Sequence, residues 1–267
     1  MHKMKYSVIV TVYNDDQFLP SCFDSILAQT IKPEEIIVVD DNSTDNSGKI
    51  IDQYNFRKIF SSEPKHEQRW LNRVRAFKLG LNSIEKPTDL LLKVDSDIII
   101  PDNYVEILIS HFENDSKLAA ISGVQKQDRF HPLPRNGAIM YKQEALSNPS
   151  DLREVYAWDR WTLLWLQERE YHVKVDKSLV YIELRDSILS KKEAYRTGIV
   201  RRREHYPIRG VLIQALLQGG LKSLYFLYGY ITGAGPERHS REFMKEYSKK
   251  EETERMKYIS KRLEAEK

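Results

Sequence analysis

The 267-residue sequence predicts an α/β fold: a mostly parallel sheet flanked by helices, continued by a helical C-terminal extension. Two apolar runs, Tyr6 to Val12 and Glu35 to Val39, are each followed by a polar turn and then by helical spacing, the alternation of parallel βαβ units. A third run, Leu90-Leu91-Leu92-Lys93-Val94, stops at Asp95-Ser96-Asp97 and resumes as Ile98-Ile99-Ile100-Pro101. Beyond about residue 185 the texture changes to a basic stretch, an apolar stretch and a charged tail. The chain is therefore expected to divide into a sheet-containing domain over 1–185 and an extension over 186–267.

Composition narrows the class. Hydrophobic residues at 41% and charged residues at 30% describe a globular chain with ample core. Lys plus Arg exceed Asp plus Glu by only 42 to 39, which gives no reason to expect nucleic acid as a partner. The single cysteine, Cys22, excludes an internal disulfide framework and falls on an apolar helix face. Met1-His2-Lys3-Met4-Lys5 runs directly into a strand without a signal peptide, so the expected location is cytoplasmic, peripheral at the inner face of the cell membrane.

Taken in order, Tyr6 to Val12 ends in the turn formers Tyr13-Asn14-Asp15-Asp16. Leu19, Cys22, Phe23, Ile26 and Leu27 then recur at helical spacing and predict one buried face. After Pro33, Glu35 to Val39 ends at Asp40-Asp41-Asn42-Ser43-Thr44-Asp45, where Asp45 or Thr44 caps a helix carrying Ile50, Ile51 and Tyr54. Lys58 to Ser61 is a short strand, and Trp70, Val74, Phe77, Leu81 and Ile84 mark a longer helix. The other face of that helix holds Arg69, Arg73, Arg75 and Lys78, either solvated or overlooking a binding crevice through its first turn. Asp102 to Phe112 reads as a helix, and Leu118 to Val124 and Gly137 to Tyr141 as strands. A loop with Pro132 and Pro134 precedes the last of these and is expected to form a binding edge. Trp158-Asp159-Arg160-Trp161 opens a helix with Leu163, Leu164 and Leu166, and Tyr171 to Asp176 closes the domain as a strand.

In parallel α/β sheets, ligands bind beyond the carboxyl ends of the strands. Three strand ends here supply Thr11 and Tyr13, then Asp40 and Asp41, then Asp95 and Asp97. An Asp-x-Asp triplet alone is an ordinary turn former. Beside the other two tips it acquires chemistry: an aromatic ring stacks on a base, a carboxylate accepts from a base edge, and paired carboxylates with substrate phosphates hold Mg²⁺. Together they describe a nucleotide-diphosphate site. No Gly-rich phosphate loop is present, which excludes a Walker site and a dinucleotide fingerprint. The histidines show no metal-ligand spacing, and no local motif marks a serine or cysteine nucleophile.

Four segments in order, Ser7 to Asn14, Ile26 to Thr30, Ile36 to Asp45 and Val94 to Asp97, resemble the family-2 glycosyltransferases, inverting enzymes of the Rossmann-like GT-A fold that use nucleotide sugars. The resemblance covers roughly Lys5 to Val175. It implies that Thr11, Tyr13 and Asp41 hold the base, that Asp95 faces ribose and metal, and that Asp97 ligates Mg²⁺ or Mn²⁺. It implies a general base at Asp159, although Trp158 replaces the usual glutamate before it. Arg73 or Arg69 fills the place of the basic residue near the donor phosphates. The Gln-x-x-Arg-Trp segment of processive synthases is absent, so transfer of a single sugar to a saccharide or lipid-linked glycan is expected. A polyprenyl-phosphate acceptor is the rival within enzymes, and a non-catalytic nucleotide-sugar binding module is the rival outside them.

The extension carries its own expectation. Lys222 divides Gly210 to Pro236 into uncharged pieces too short to span a bilayer. Leu212, Leu216, Leu217, Leu221, Leu224 and Leu227, with Tyr225, Tyr228 and Tyr230, are expected to meet a membrane surface, and Arg201-Arg202-Arg203 to attract anionic lipid. Packing of the same leucines over the catalytic domain or in a dimer contact is the equal alternative.

Overall fold

The computed structural model describes residues 4–62, 65–126, 133–146, 152–185, 190–235 and 239–265. The chain divides into two compact units, Met1–Arg185 and Asp186–Lys267.

The first unit is built on strands β1 (Tyr6–Val12), β2 (Glu35–Asp40), β3 (Arg57–Phe60), β4 (Leu90–Asp95), β5 (Ile98–Ile99), β6 (Leu118–Gln125), β7 (Ala138–Lys142) and β8 (His172–Glu183). Its helices are α1 (Leu19–Leu27), α2 (Ser47–Ile51), α3 (Arg69–Asn82), α4 (Tyr104–Asn114) and α5 (Trp158–Glu168). The strands run in the order β3-β2-β1-β4-β7-β6-β8-β5. β3, β2, β1 and β4 are mutually parallel, β7 is antiparallel to β4 and β6, and β8 returns parallel to β6.

Both faces of the parallel half are covered, which is why its strands read as continuous apolar runs. Tyr6, Val8, Val10 and Val12 join one core with Leu19, Cys22, Phe23 and Ile26 of α1 and Tyr104, Leu108 and Phe112 of α4. Alternate residues Ile9 and Val39 meet α3 on the other face, where Gly80 lets the helix approach: a Cβ there would lie 2.8 Å from Ile9 Cγ2. Leu27, expected in the buried stripe of α1, is exposed, because the helix ends at that residue. Asp45 does accept the Ser47 backbone N–H, at 2.9 Å, but Asn46 is the cap position of α2. The last strand is longer than the sequence pattern indicated, since β8 continues to Glu183 and pairs Glu183 with Ile98 of β5. Pro132, in the loop expected to form a binding edge, lies outside the described residues.

The second unit comprises α6 (Lys191–Arg203), α7 (Ile208–Gln218), α8 (Gly220–Thr232) and α9 (Arg241–Ala265). Ser190 and Glu193 form a reciprocal capping box at the start of α6. Helices α6 and α8 touch backbone to backbone, since a Cβ on Gly198 would lie 2.0 Å from the Phe226 carbonyl oxygen and one on Gly229 equally close to that of Tyr195. Helix α9 is not wholly on the surface: Met244, Ser248 and Glu251 are buried along one stripe. Two expectations for this unit are corrected. Tyr230 is buried and its hydroxyl donates to the Tyr206 carbonyl at 2.7 Å, so it does not face outward. Arg201 is buried against Glu204, Glu251 and Gln214, so it is a structural cation and not part of a surface patch. Among the described residues no helix is long and apolar enough to cross a membrane.

Candidate active site

The strand order places β2 on one side of β1 and β4 on the other. Connections leave the sheet in opposite directions there, so the loops after β1 and β4 part and open a crevice at the carboxyl ends. Register brings the predicted residues to that point: Thr11 of β1 lies opposite Val39 of β2 and opposite Asp95 of β4. Val12 lies opposite Asp40, and the Asp41 N–H donates to the Val12 carbonyl at 2.9 Å.

The loops after β1 and β2 are zipped together by their own turn formers. Asn14 and Asn42 take positive φ, 53° and 57°, a conformation asparagine tolerates better than most residues. The Thr44 N–H donates to Asn14 Oδ1 at 2.7 Å, the Asn14 N–H to Ser43 Oγ at 3.1 Å and the Asp15 N–H to Ser47 Oγ at 3.0 Å. Tyr13 on this loop is exposed, whereas Asp41 is buried. Lys65 joins them, 3.5 Å from Asp41 Oδ2 and over the Tyr13 ring. Burial raises the Asp41 carboxyl above the usual carboxylate range, against the pull of Lys65 and a hydrogen bond from Ser61.

Asp95 and Asp97 flank the turn from β4 to β5. The Asp95 N–H donates to the Gly137 carbonyl at 2.8 Å, and Lys93, only 2% exposed, ion-pairs with the Asp95 carboxylate while donating to the Asn136 carbonyl at 2.7 Å. Ser96 between them hydrogen-bonds Asp15 from the β1 loop. Asp97 is raised in pKa by burial and then by the charge of Asp95, with Arg185 opposing. Glu183 is raised for the same reasons, by burial and then by Asp97 and Asp95. Arg185 answers this charge, ion-paired with Asp15 and 3.2 Å from Asp97 Oδ2 through Nε.

A divalent cation fits this chemistry. The donors at Asp95 and Asp97 are hard carboxylate oxygens at one turn, and the charge of Asp95 adds to burial in raising Asp97. Among the described residues no group of three or more acids, histidines or cysteines is arranged to hold an ion. Asp95 and Asp97 supply two carboxylates at this turn, which matches the habit of Mg²⁺ of keeping waters and substrate phosphates as its other ligands.

Asp159 lies in the first turn of α5 and is half-buried. Burial raises the Tyr141 hydroxyl above the usual phenol range, and the charges of Asp159 and Asp95 add to it. Ala157 just before the helix has φ 55°, a strained conformation for a residue with a Cβ. Trp158 is buried and stacks on Phe77 of α3, centroids 5.4 Å apart, so this residue anchors the start of α5 to α3. On α3, Arg75 and Lys78 pair with Glu154 at 3.2 and 3.4 Å, which ties much of the basic face to the segment before α5. Arg69 and Arg73 are exposed in the first two turns of α3.

Sequence reasoning missed Asp15, Lys65, Lys93, Glu183 and Arg185. Lys93 carried a signal, a lone cation within an apolar strand, which a buried strand tolerates only with a partner. Asp15 stood among turn formers without distinction. Lys65, Glu183 and Arg185 had no local mark, since their partners lie elsewhere in the chain.

The fold and its rim define the class: a mixed sheet with acids at the switch point is the architecture of the GT-A glycosyltransferases. Residues 7–159 match the model described as glycosyl transferase family 2, and the chain belongs to that family. Glycosyltransferase GlyA of Streptococcus pneumoniae is 40% identical over 109 residues, 39% of this chain and 14% of that protein. GlyG of the same organism is 37% identical over 102 residues, 38% of this chain and 33% of that protein. The matched stretches are thus a minor part of those relatives' lengths. Among solved structures, the mannosyltransferase PcManGT from Pyrobaculum calidifontis, in complex with GDP-Man and Mn²⁺, aligns at TM-score 0.62 and 17% identity over 87% of this chain and 72% of that one. Glucosyl-3-phosphoglycerate synthase from Mycobacterium tuberculosis, in complex with Mn²⁺, UDP and glucosyl-3-phosphoglycerate, aligns at 0.56 and 18% over 72% and 75%. These likenesses show the fold.

Proposed function

We propose that this glycosyltransferase moves a single sugar, with inversion, from a nucleoside-diphosphate sugar to an acceptor hydroxyl of a saccharide or lipid-linked glycan, and that it requires Mg²⁺ or Mn²⁺. The observation that carries the reading is the in-register meeting of Thr11 and Asp95 across the switch point, with Asp41 on the next tip and Asp97 at the turn. In this reading Tyr13 stacks on the base, Asp41 accepts from its edge, and Thr11 lines the pocket floor. Asp95 faces the ribose and, with Asp97, would hold the divalent ion, which when bound acts as a Lewis acid for the charge that grows on the departing diphosphate. Arg73 attends the donor phosphates. Asp159 takes the proton from the acceptor hydroxyl as that oxygen attacks the anomeric carbon from the face opposite the leaving group, a contribution typically of about 10² to 10⁴ in rate. The GDP-Man, UDP and Mn²⁺ bound in the two solved structures support the donor class and the cofactor. The test is a screen of UDP-, GDP- and dTDP-sugars with nucleoside-diphosphate release as readout, with and without chelator. Release from one donor that stops in chelator is the expected result; donor binding without release in any metal would make the chain a binding module.

We also infer that the second unit meets an anionic membrane surface, which fits a lipid-linked acceptor. Ile208, Leu212 and Leu216 form one exposed stripe on α7, and Leu221, Leu224, Tyr225, Tyr228 and Ile231 one on α8, with Leu216 81% and Ile231 75% exposed. From His205 to Gly235 the sequence has no acidic residue, while Arg209 and Lys222 are cationic. Apolar stripes with tyrosines and without carboxylates suit a headgroup boundary. Co-sedimentation with anionic liposomes at low salt, lost in a Leu216→Ser, Leu224→Ser variant, is the expected outcome; a wild type that stays in the supernatant while forming a dimer assigns the stripes to self-association.

A further inference from the structure

The cation now on Asp97 belongs to the chain itself. Arg185 follows the end of β8, and β8 is drawn to the turn by pairing of Glu183 with Ile98 and by the Leu184 N–H, which donates to the Asp97 carbonyl at 2.8 Å. Its guanidinium then reaches two carboxylates from different strand tips, Asp15 and Asp97, and lies over the Phe18 ring at 5.1 Å. Asp15 is 6% exposed and tied to Ser96, so it is a fixed partner, whereas the Arg185 side chain is 42% exposed and has one side open to solvent. A divalent ion held by Asp97 must share that carboxylate with a guanidinium or take it over.

Resting on the metal-dependent reading above, we infer that Arg185 is the resting counter-cation of the metal site, that it yields Asp97 to the incoming divalent ion, and that it then binds the donor diphosphate. Asp15 keeps its hold on the arginine through the exchange, so the guanidinium stays at the crevice. Planar guanidinium suits bidentate hydrogen bonding to phosphate oxygens, and its weak hydration makes the move from carboxylate to phosphate easier than for an ammonium. The site thus keeps near-constant charge: before loading, arginine offsets the acids; after loading, the acids face the metal and the arginine faces the new anion. Without Arg185, the close carboxylates Asp15, Asp95, Asp97 and Glu183 would repel one another unopposed by it in the empty protein.

The two halves of the inference have opposite signs for one variant, which makes them testable without turnover. Calorimetric titration of Mn²⁺ alone into the full chain should show Arg185→Ala binding about tenfold more tightly than wild type, the scale expected for removing one partly screened charge at ion-pair distance. Arg185→Gln keeps the shape and part of the hydrogen bonding without the charge, and should move the same way; Arg185→Lys should remain near wild type for Mn²⁺. UDP and GDP titrated at saturating Mn²⁺ should show the opposite: whichever the wild type binds, both neutral variants bind it more weakly. Equal or weaker Mn²⁺ binding by the neutral variants overturns the exchange, and unchanged nucleotide affinity overturns the diphosphate role. Asp97→Asn separates this from the wider reading: if it abolishes Mn²⁺ binding while Arg185→Ala matches wild type, only the exchange is wrong. Failure of every protein to bind Mn²⁺ removes the metal assignment and the exchange together.

Discussion

In Met1–Arg185 the inner strands β1, β2 and β4 are covered on both faces and charges gather at their carboxyl ends, whereas in Asp186–Lys267 two helices bury one apolar stripe and leave another in solvent. Val211 and Ala215 of α7 and Phe226, Gly229 and Tyr230 of α8 are inside, while Leu216, Leu224 and Ile231 are outside. The difference teaches that apolar content alone does not locate a core. A parallel sheet has helices delivered to both faces by its own crossovers, so its inner strands find cover and only the edge leaves an apolar residue such as Phe60 exposed. A helix pair has no such guarantee, and its surplus apolar surface marks a place for something else to bind.

The comparison breaks most sharply at the rim. Asp97→Ala should lower turnover by about three orders of magnitude or more, since a Lewis acid at the leaving group contributes several kcal/mol. Its circular dichroism and melting should stay those of a folded protein, because Asp97 is a rim residue and not a core one; full activity in a metal-free buffer would exclude the metal role. Asp159→Asn should keep nucleotide-sugar affinity and lose about 10² to 10⁴ in turnover, read from saturating-donor rates beside donor titrations. A loss of affinity with the saturated rate intact would make Asp159 a binding residue.

Next in size is the contrast between buried and exposed apolar side chains. Phe77→Ala should destabilise the first unit by about 3 to 5 kcal/mol, because Phe77 is fully buried and supports the Trp158 stack. Leu216→Ser should change stability by less than about 0.5 kcal/mol in denaturant unfolding, as expected for an exposed site. Equal costs at the two positions would mean that α7 is packed in solution.

The smallest effect is electrostatic. Hydrogen bonds from Lys174 and His172 hold the Asp115 carboxyl down to about 2. A depressed carboxylate stabilises the fold above its unfolded pKa of about 3.9, and the contribution disappears as pH falls toward 2. Asp115→Asn should therefore melt below wild type at pH 6, with the gap narrowing by pH 3; a gap that widens on acidification would reverse the sign.

Much of the rim was legible before the fold. Thr11, Asp41, Asp95 and Asp97 stand at ends of apolar runs, and a buried parallel strand must surface where its run stops. The chain order of those runs also implied that their tips share one edge. Asp159 was legible only through family resemblance, since a carboxylate at the start of a helix is an ordinary dipole partner.

What the sequence determined by itself is local: the strands β1, β2 and β4, the helices with one apolar stripe, the turn residues that let Asn14 and Asn42 take positive φ, and the acids at three strand tips. Tertiary structure decided which stripe is covered and which charges meet. It exposed Leu27, buried Tyr230 and Arg201, pushed β8 on to Glu183, and set Arg185 against Asp15 and Asp97. The physical reason is range: periodicity and turn chemistry act between residues a few positions apart, whereas an ion pair between Asp15 and Arg185 exists only after the intervening strands have taken their places in the sheet.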